Sequence, residues 1–499
     1  SFFLRIYQVA DKPHGLYIDE VAIGWNSYSI LKTGKDEFGK PWPLWFQSYG
    51  DYKLPVYIYT TAISEFFFGK TAFAVRFPSV IAGFLSILVF IQLLRITTKS
   101  NKLALLAGLM VAISPWHLQF TRAGFEVSIA LFLTLFGVFL IMQDFLRLRK
   151  TYFWGVSALV FSLYSYHFSR IISPTLIFFL SILYKKDFFT ILKRKYAKII
   201  IGILIILTLP FAFYAFSQAG LVRAQGESFL RDLPKEYKAQ NELLNRDIWI
   251  VERLIHNYLT YFSIDFLFFS GDSIGRHSVR EMGMLYLWQL PIYIFGMIEV
   301  IKHLRTNKTH QLFFMWFLIA PLAATLATPN PHALRGLPGL LPLTYIIMIG
   351  FFYIYRWISS KKIFLLTSAS CIGYWLMLYL HIYYVHYAVR ASPDWNSGYK
   401  EAILYILDQE KNYDQIQFSY KMEHAYMFLL FYSNFDPAKI QKLTAPALQI
   451  GKYVFYQSAH DITDRKILYV AHPIESFPGK IKEKILNAGG DSAFNIWEN

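Results

Sequence analysis

The sequence predicts an α-helical polytopic membrane protein that ends in a small α/β domain. Three observations predict it. Only 16% of the 499 residues are charged, against 55% hydrophobic and 19% aromatic, whereas a soluble chain carries about 25% charge. The apolar residues gather in blocks of spanning length, which a soluble core does not need. Lys and Arg gather in the short segments between alternate blocks, as the positive-inside rule expects.

The blocks fall at 72–96, 103–120, 127–146, 152–168, 171–184, 197–216, 284–300, 312–327, 337–357 and 363–389. The opening Ser1-Phe2-Phe3-Leu4 reads as the remnant of a truncated first helix, since no signal-peptidase pattern follows it. Together these predict about eleven spans, with a transmembrane domain over 1–389 and a soluble α/β domain over 390–499. One set of loops holds Arg95, Lys99, Lys102, Arg147, Arg149, Lys150, Lys302, Arg305, Lys361 and their neighbours. That set belongs on the cytoplasmic side of a multi-pass plasma-membrane protein. The opposite, outer side then receives loops at about 8–70 and 217–283, and everything after Val389.

Two stretches of the first outer loop, 17–31 and 54–68, read as amphipathic helices lying on the membrane, rich in Tyr, Trp and Phe. In the tail, the pattern predicts helices at 399–409, 424–432 and 479–487. Strands follow from the same pattern at 415–419, 453–456, 467–470 and 493–497.

The net charge of +16 does not point to nucleic acid, because the cations sit between apolar blocks and not on a basic stripe of a soluble module. Cys371 is the only cysteine, so the chain forms no internal disulfide and offers no thiolate metal site.

Six polar constellations fall on the predicted outer side. Asp19-Glu20 stands at the start of the first interfacial helix. Acids there suit the helix dipole; they also suit a general base at the membrane surface. Gly50-Asp51-Tyr52-Lys53-Leu54-Pro55 closes the same loop, and a lysine ammonium is a compact counter-ion for phosphate. Arg122 and Glu126, spaced i, i+4, follow Ser114-Pro115-Trp116-His117 and are placed to pair with each other. Tyr166 and Arg170 lie in Tyr164-Ser165-Tyr166-His167-Phe168-Ser169-Arg170 between two blocks. An arginine near membrane depth costs about 2.5–3.5 kcal/mol on insertion scales, less if it snorkels. Gly271-Asp272 precedes Arg276-His277 and Arg280, and His332 and Arg335 open the block at 337–357. Each motif is ordinary alone. On one face they make a set able to surround a sugar and a phosphate.

Two other patterns read as decoys. Gly69-Lys70-Thr71 lacks the leading glycine of a P-loop, because Ser64 stands there. His381 and His386 are five apart, off one helical face, and read as core packing rather than metal ligands.

In this ordered set the chain resembles the GT-C membrane glycosyltransferases, and among them the protein O-mannosyltransferases and the lipid A aminoarabinose transferases. The carriers are Asp19-Glu20, Lys53-Leu54-Pro55, Tyr166 to Arg170 and His332 to Arg335. The resemblance implies inverting transfer of a monosaccharide from a polyprenyl-phosphate donor to a glycan, lipid or protein acceptor on the outer face. It implies Asp19 as base, with Glu20 beside it. Lys53, Arg170 and Arg335 hold the phosphate, and Tyr52, Arg122, Glu126, Tyr166, Asp272, Arg276, His277 and His332 contribute to binding. No nucleotide is expected; a divalent metal is compatible but not required. The chain departs from the lipid A enzymes in having Leu54 before a single Pro55, where they carry two prolines, and it has no trefoil-like sugar-binding insert. The alternatives are a transporter or flippase for a lipid-linked sugar, against which the absence of paired repeats counts, and a glycan ligase or polymerase of another family.

Overall fold

The computed structural model describes residues 1–147, 149–217, 220, 226, 228–233, 243–443, 448–457, 465–477 and 479–499; parts of the predicted second outer loop lie outside these. The chain divides into two compact units. The first comprises residues 1–6, 47–56 and 79–380, and the second 7–46, 57–78 and 381–499.

The first unit is helical. Among the described residues of the whole chain, five helices are long and apolar enough to cross a membrane: Ala72–Thr98, Val127–Arg147, Ala197–Phe216, Ala333–Trp357 and Lys361–Arg390. The predicted span at 103–120 is broken. Asn101–Ile113 and Pro115–Thr121 meet at 59°, with the Ser114 hydroxyl accepting from the His117 N–H to cap the second piece and Pro115 at its first position. The blocks at 152–168, 284–300 and 312–327 hold helices shorter than predicted, Tyr152–Leu163, Gln289–Lys302 and Lys308–Ile319. A twelve-residue helix rises about 18 Å, short of the ~30 Å hydrocarbon core. Apolar composition therefore marked each of these places, and among the described residues five helices, or six if the bent pair is one span, have spanning length.

Where helices meet closely, glycine makes it possible. A Cβ on Gly350, in the helix Leu340–Trp357, would lie 1.9 Å from the Ile292 carbonyl oxygen. One on Gly296, in Gln289–Lys302, would lie 2.0 Å from that of Ile346. This is the small-residue crossing common between membrane helices. The helix Ala197–Phe216 does the opposite and exposes Ile199, Ile203, Ile206, Phe213 and Phe216. At the predicted cytoplasmic side, buried Asp144 takes a 2.5 Å ion pair from Arg194 and a hydrogen bond from the Tyr152 N–H.

A short hairpin, β1 (Phe46–Ser48) and β2 (Asp51–Lys53), precedes the helix Pro55–Phe68. The Val56 N–H donates to the Tyr164 carbonyl at 3.3 Å, which ties the start of that helix to the turn before the helix Ser169–Leu183.

The second unit is built round a six-stranded mixed sheet. Its strands are β3 (Gln415–Ser419), β4 (Gln449–Ile450), β5 (Tyr453–Gln457), β6 (Ile467–Ala471), β7 (Lys480–Leu486) and β8 (Ser492–Glu498). They lie in the order β4-β5-β3-β6-β8-β7, with β3 parallel to both β5 and β6. The parallel core strand has Ile416 opposite Leu468. The predicted helix at 479–487 is the edge strand β7. Lys480-Ile481-Lys482-Glu483-Lys484-Ile485-Leu486 puts its charges on an exposed edge paired only with β8, the usual protection of an edge from aggregation.

The predicted interfacial helix at 17–31 is the helix Ile18–Thr33, and it is not laid on a surface. Val21, Ala22, Ile23, Trp25 and Ile30 are buried, and so are Glu20, Asn26, Ser27 and Ser29. It packs on the helix Ala425–Tyr432, where a Cβ on Gly24 would meet the Phe431 ring at 2.3 Å. Its polar residues are satisfied internally: Ser27 donates to the Ile58 carbonyl, and Asn26 donates to Glu37.

Candidate functional site

Lys53, Arg170 and Arg335 come from three separate parts of the first unit, and all three act electrostatically on one imidazole, His167. Burial first, and then these three cations, hold His167 well below the ordinary histidine range. Arg170 is the second residue of the helix Ser169–Leu183. Its guanidinium lies 5.2 Å from the ring centroids of both Phe211 and Tyr214, and among the described residues its buried Nε and Nη2 have no hydrogen-bond partner. Arg335 sits in the short helix Ala333–Gly336 and donates to the Thr328 carbonyl at 2.9 Å. Tyr166, His167, Arg170 and Arg335 line one cavity of about 280 Å³. Lys53 is half-buried on β2, and Tyr52 and Glu126 lie within electrostatic reach of Tyr214.

Below the arginine, the same helix changes character. Ser173, Pro174 and Ile177 line an apolar cavity of about 520 Å³, shared with Leu159 and Leu204 of neighbouring helices. Cations at a helix start, and an oily cavity along its length, are the two surfaces that a lipid phosphate needs.

Beside Arg335 lies a second cluster. Asp272, His277 and His332 are all buried, and one possible ligand atom from each lies within 4.8 Å of the others. The Asp272 carboxylate accepts from the Ile274 N–H at 2.8 Å, the Ala333 N–H at 2.6 Å and His277 Nδ1 at 3.0 Å. His277 packs against His332 with ring centroids 4.6 Å apart. Burial is the largest cause that lowers both imidazoles below the ordinary histidine range. The Tyr261 hydroxyl accepts from the His332 N–H at 3.2 Å and donates to Asn330 at 2.8 Å. Arg276 acts on both histidines, and its carbonyl accepts from Gln119.

Other predicted site residues do structural work. Arg122 is buried and donates to the Leu4 and Arg5 carbonyls at 2.7 and 3.3 Å, closing the end of the helix Phe2–Ile6. Glu20, in the second unit, is buried and ion-paired. Arg76 Nε meets Oε1 at 2.8 Å and Nη2 meets Oε2 at 3.0 Å, and the Tyr17 N–H donates to the same carboxylate. Arg76 spends its remaining donors on the Val9, Pro13 and Gly15 carbonyls. Asp19, one residue earlier, is half-buried at the helix start, near enough to His424 to act on its ring.

His167 and Arg76 were not singled out by sequence reasoning, and Lys70 entered it only as part of a P-loop decoy. Lys70 is caged over the rings of Trp25, Tyr28 and Phe431 and donates to the Leu430 and Ser433 carbonyls. Burial lowers it to about 8. His381 and His386, read as core packing, are exposed. The π-helix Ile382–Tyr387 turns five-residue spacing into one face and brings their Nε2 atoms to 3.1 Å.

No protein-family profile and no curated protein sequence matches the chain. Solved structures do. ArnT from Cupriavidus metallidurans bound to undecaprenyl phosphate superposes with a TM-score of 0.56 at 10% identity, covering 99% of this chain and 96% of ArnT. ArnT in the apo state gives 0.55 at 9% identity, with 99% and 95% covered. The Archaeoglobus fulgidus oligosaccharyltransferase in the apo form is a more distant likeness, at 0.48 and 14% identity, over 86% of this chain and 62% of that one. Over nearly its whole length, the chain therefore has the fold of ArnT.

Proposed function

We propose that the chain is a glycosyltransferase that moves a monosaccharide from a polyprenyl-phosphate donor to an acceptor at the outer face of the membrane. The observation that carries this reading is the cavity that Arg170 and Arg335 line with His167, within electrostatic reach of Lys53, with Arg170 Nε and Nη2 buried and unpartnered among the described residues. Two buried guanidinium nitrogens without a hydrogen-bond partner are costly, and a phosphate supplies one by charge-assisted hydrogen bonds. The apolar cavity along the helix Ser169–Leu183 suits an isoprenoid tail. The undecaprenyl phosphate bound to the ArnT neighbour supports the same donor class.

In this reading the acceptor hydroxyl oxygen bonds to C1 of the sugar while the C1–O bond to phosphate breaks. The electron pair leaves on the phosphate oxygen, where the arginines and Lys53 stabilise it most as charge builds. The acceptor proton passes to Asp19. Glu20 is the poorer candidate, because both of its oxygens are held by Arg76.

The test is incubation of the purified chain with a panel of undecaprenyl-phosphate monosaccharides and envelope extract, following release of undecaprenyl phosphate. Release that requires both Arg170 and Asp19 supports the reading. No release with any donor, from protein that still binds undecaprenyl phosphate, would favour transport instead.

A further inference from the structure

Among the described residues, one polar cluster holds a donor set that the transfer chemistry does not use. We infer that Asp272, His277 and His332 form a binding site for a divalent transition metal of the zinc class, at the junction between the loop after Phe269 and the start of the short helix that carries Arg335. The three offer one donor atom each within 4.8 Å of one another, and all are buried. Asp272 Oδ2 and His277 Nδ1 are 3.0 Å apart, close to the spacing of adjacent ligands whose bonds to one ion are about 2.0–2.2 Å.

The second observation is His332. Its Nδ1 is buried, and among the described residues it has no hydrogen-bond partner. Buried ring nitrogens are nearly always satisfied, and this one is not, in a cluster whose other members are held in place. The Ile274 and Ala333 N–H groups hold the Asp272 carboxylate, and Tyr261 holds the His332 backbone. Such support of ligands from behind is what fixes a metal site.

The chemistry also selects the ion. Ca²⁺ and Mg²⁺ take mostly oxygen ligands, and here there is one carboxylate with Arg276 and Arg335 nearby. Two imidazoles and one carboxylate with an open fourth position suit Zn²⁺. The metal would lock His332 to Asp272, and so hold the segment from which Arg335 reaches the phosphate cavity. Metal binding itself does not depend on the transfer reading.

The experiment uses the full chain, purified in detergent without a polyhistidine tag and carrying His381→Ala and His386→Ala, which remove the exposed histidine pair. After chelator treatment, Zn²⁺ is added, excess is removed, and bound metal is measured by mass spectrometry. About one zinc per chain is expected, with affinity falling about tenfold or more in His332→Ala and in His277→Ala. His332→Ala removes no hydrogen bond made by Nδ1, so a monodisperse size-exclusion profile is expected for it. Co²⁺ in place of Zn²⁺ should give the visible absorption of a four-coordinate ion, lost in the same variants. Protein that retains no zinc, or His332→Ala that binds zinc as tightly as its parent, would overturn the site. Neither result bears on donor binding, which is read separately with undecaprenyl phosphate.

Discussion

Arg76 grips both oxygens of Glu20, at 2.8 and 3.0 Å, with both side chains wholly buried. One member of the adjacent acidic pair is thus a structural ion pair, and its neighbour Asp19 keeps a half-buried carboxylate at the helix start. Removing one partner of a buried pair leaves the other charge uncompensated, at a cost of roughly 3–5 kcal/mol. Glu20→Gln and Arg76→Ala should each lower the thermal midpoint in detergent and cut the yield of folded protein. Activity per folded molecule should fall far less than with Asp19→Asn. A Glu20→Gln protein of normal stability would show that the pair does not hold the helix Ile18–Thr33 in place.

Asp19→Asn should leave the midpoint unchanged and reduce turnover by about 10²–10⁴, the usual loss when a general base is removed. Single-turnover kinetics with saturating donor would measure it. Near-normal turnover would reduce Asp19 to a residue that complements the helix dipole.

Arg335→Ala should weaken the phosphate site through lost charge-assisted contact, worth roughly 1.5–3 kcal/mol, or about ten- to a hundredfold in affinity. Dodecyl phosphate competition would separate headgroup from tail: the variant should lose sensitivity to the phosphate, while a neutral isoprenoid alcohol should bind it as it binds the parent.

Glu37 gives a pH prediction. Burial, opposed by the hydrogen bond from Asn26 and helped by Asp36, raises it from 4.5 to about 8. The folded chain therefore holds a proton on Glu37 that the unfolded chain has already released. Its contribution to stability is complete below about 4.5 and is lost as pH rises toward 8. Between pH 6 and 8 the thermal midpoint should fall, and Glu37→Gln, which keeps the neutral shape, should flatten that fall. An unchanged slope in Glu37→Gln would place the titration elsewhere.

Much of the fold was legible because hydrophobic blocks and strand alternation are local. The strand at Gln415–Ser419 and the helices at Tyr399–Gln409 and Ala197–Phe216 have their predicted limits. What failed was tertiary. The helix Ile18–Thr33 mixes polar and apolar residues because every residue from Glu20 to Ser27 is buried, with Glu20, Asn26 and Ser27 satisfied by distant partners, and a sequence cannot reveal those partners. Lys480–Leu486 carries the long charged residues that favour helices, and only its place at the edge of the sheet makes it a strand. His381 and His386 meet through a π-turn that helical spacing does not anticipate. At the candidate site, residue types pointed to Arg170, Arg335 and Lys53. They did not point to His167, whose role comes only from standing among the three.

The most direct measurement of the central claim is the affinity of the purified chain for undecaprenyl phosphate, by native mass spectrometry or tryptophan quenching, in Arg170→Ala beside Lys362→Ala, an exposed lysine at the start of the helix Lys361–His381. About ten- to a hundredfold weaker binding is expected in Arg170→Ala, and parental binding in Lys362→Ala. Equal affinity in Arg170→Ala and the parent would contradict a phosphate site built from Lys53, Arg170 and Arg335.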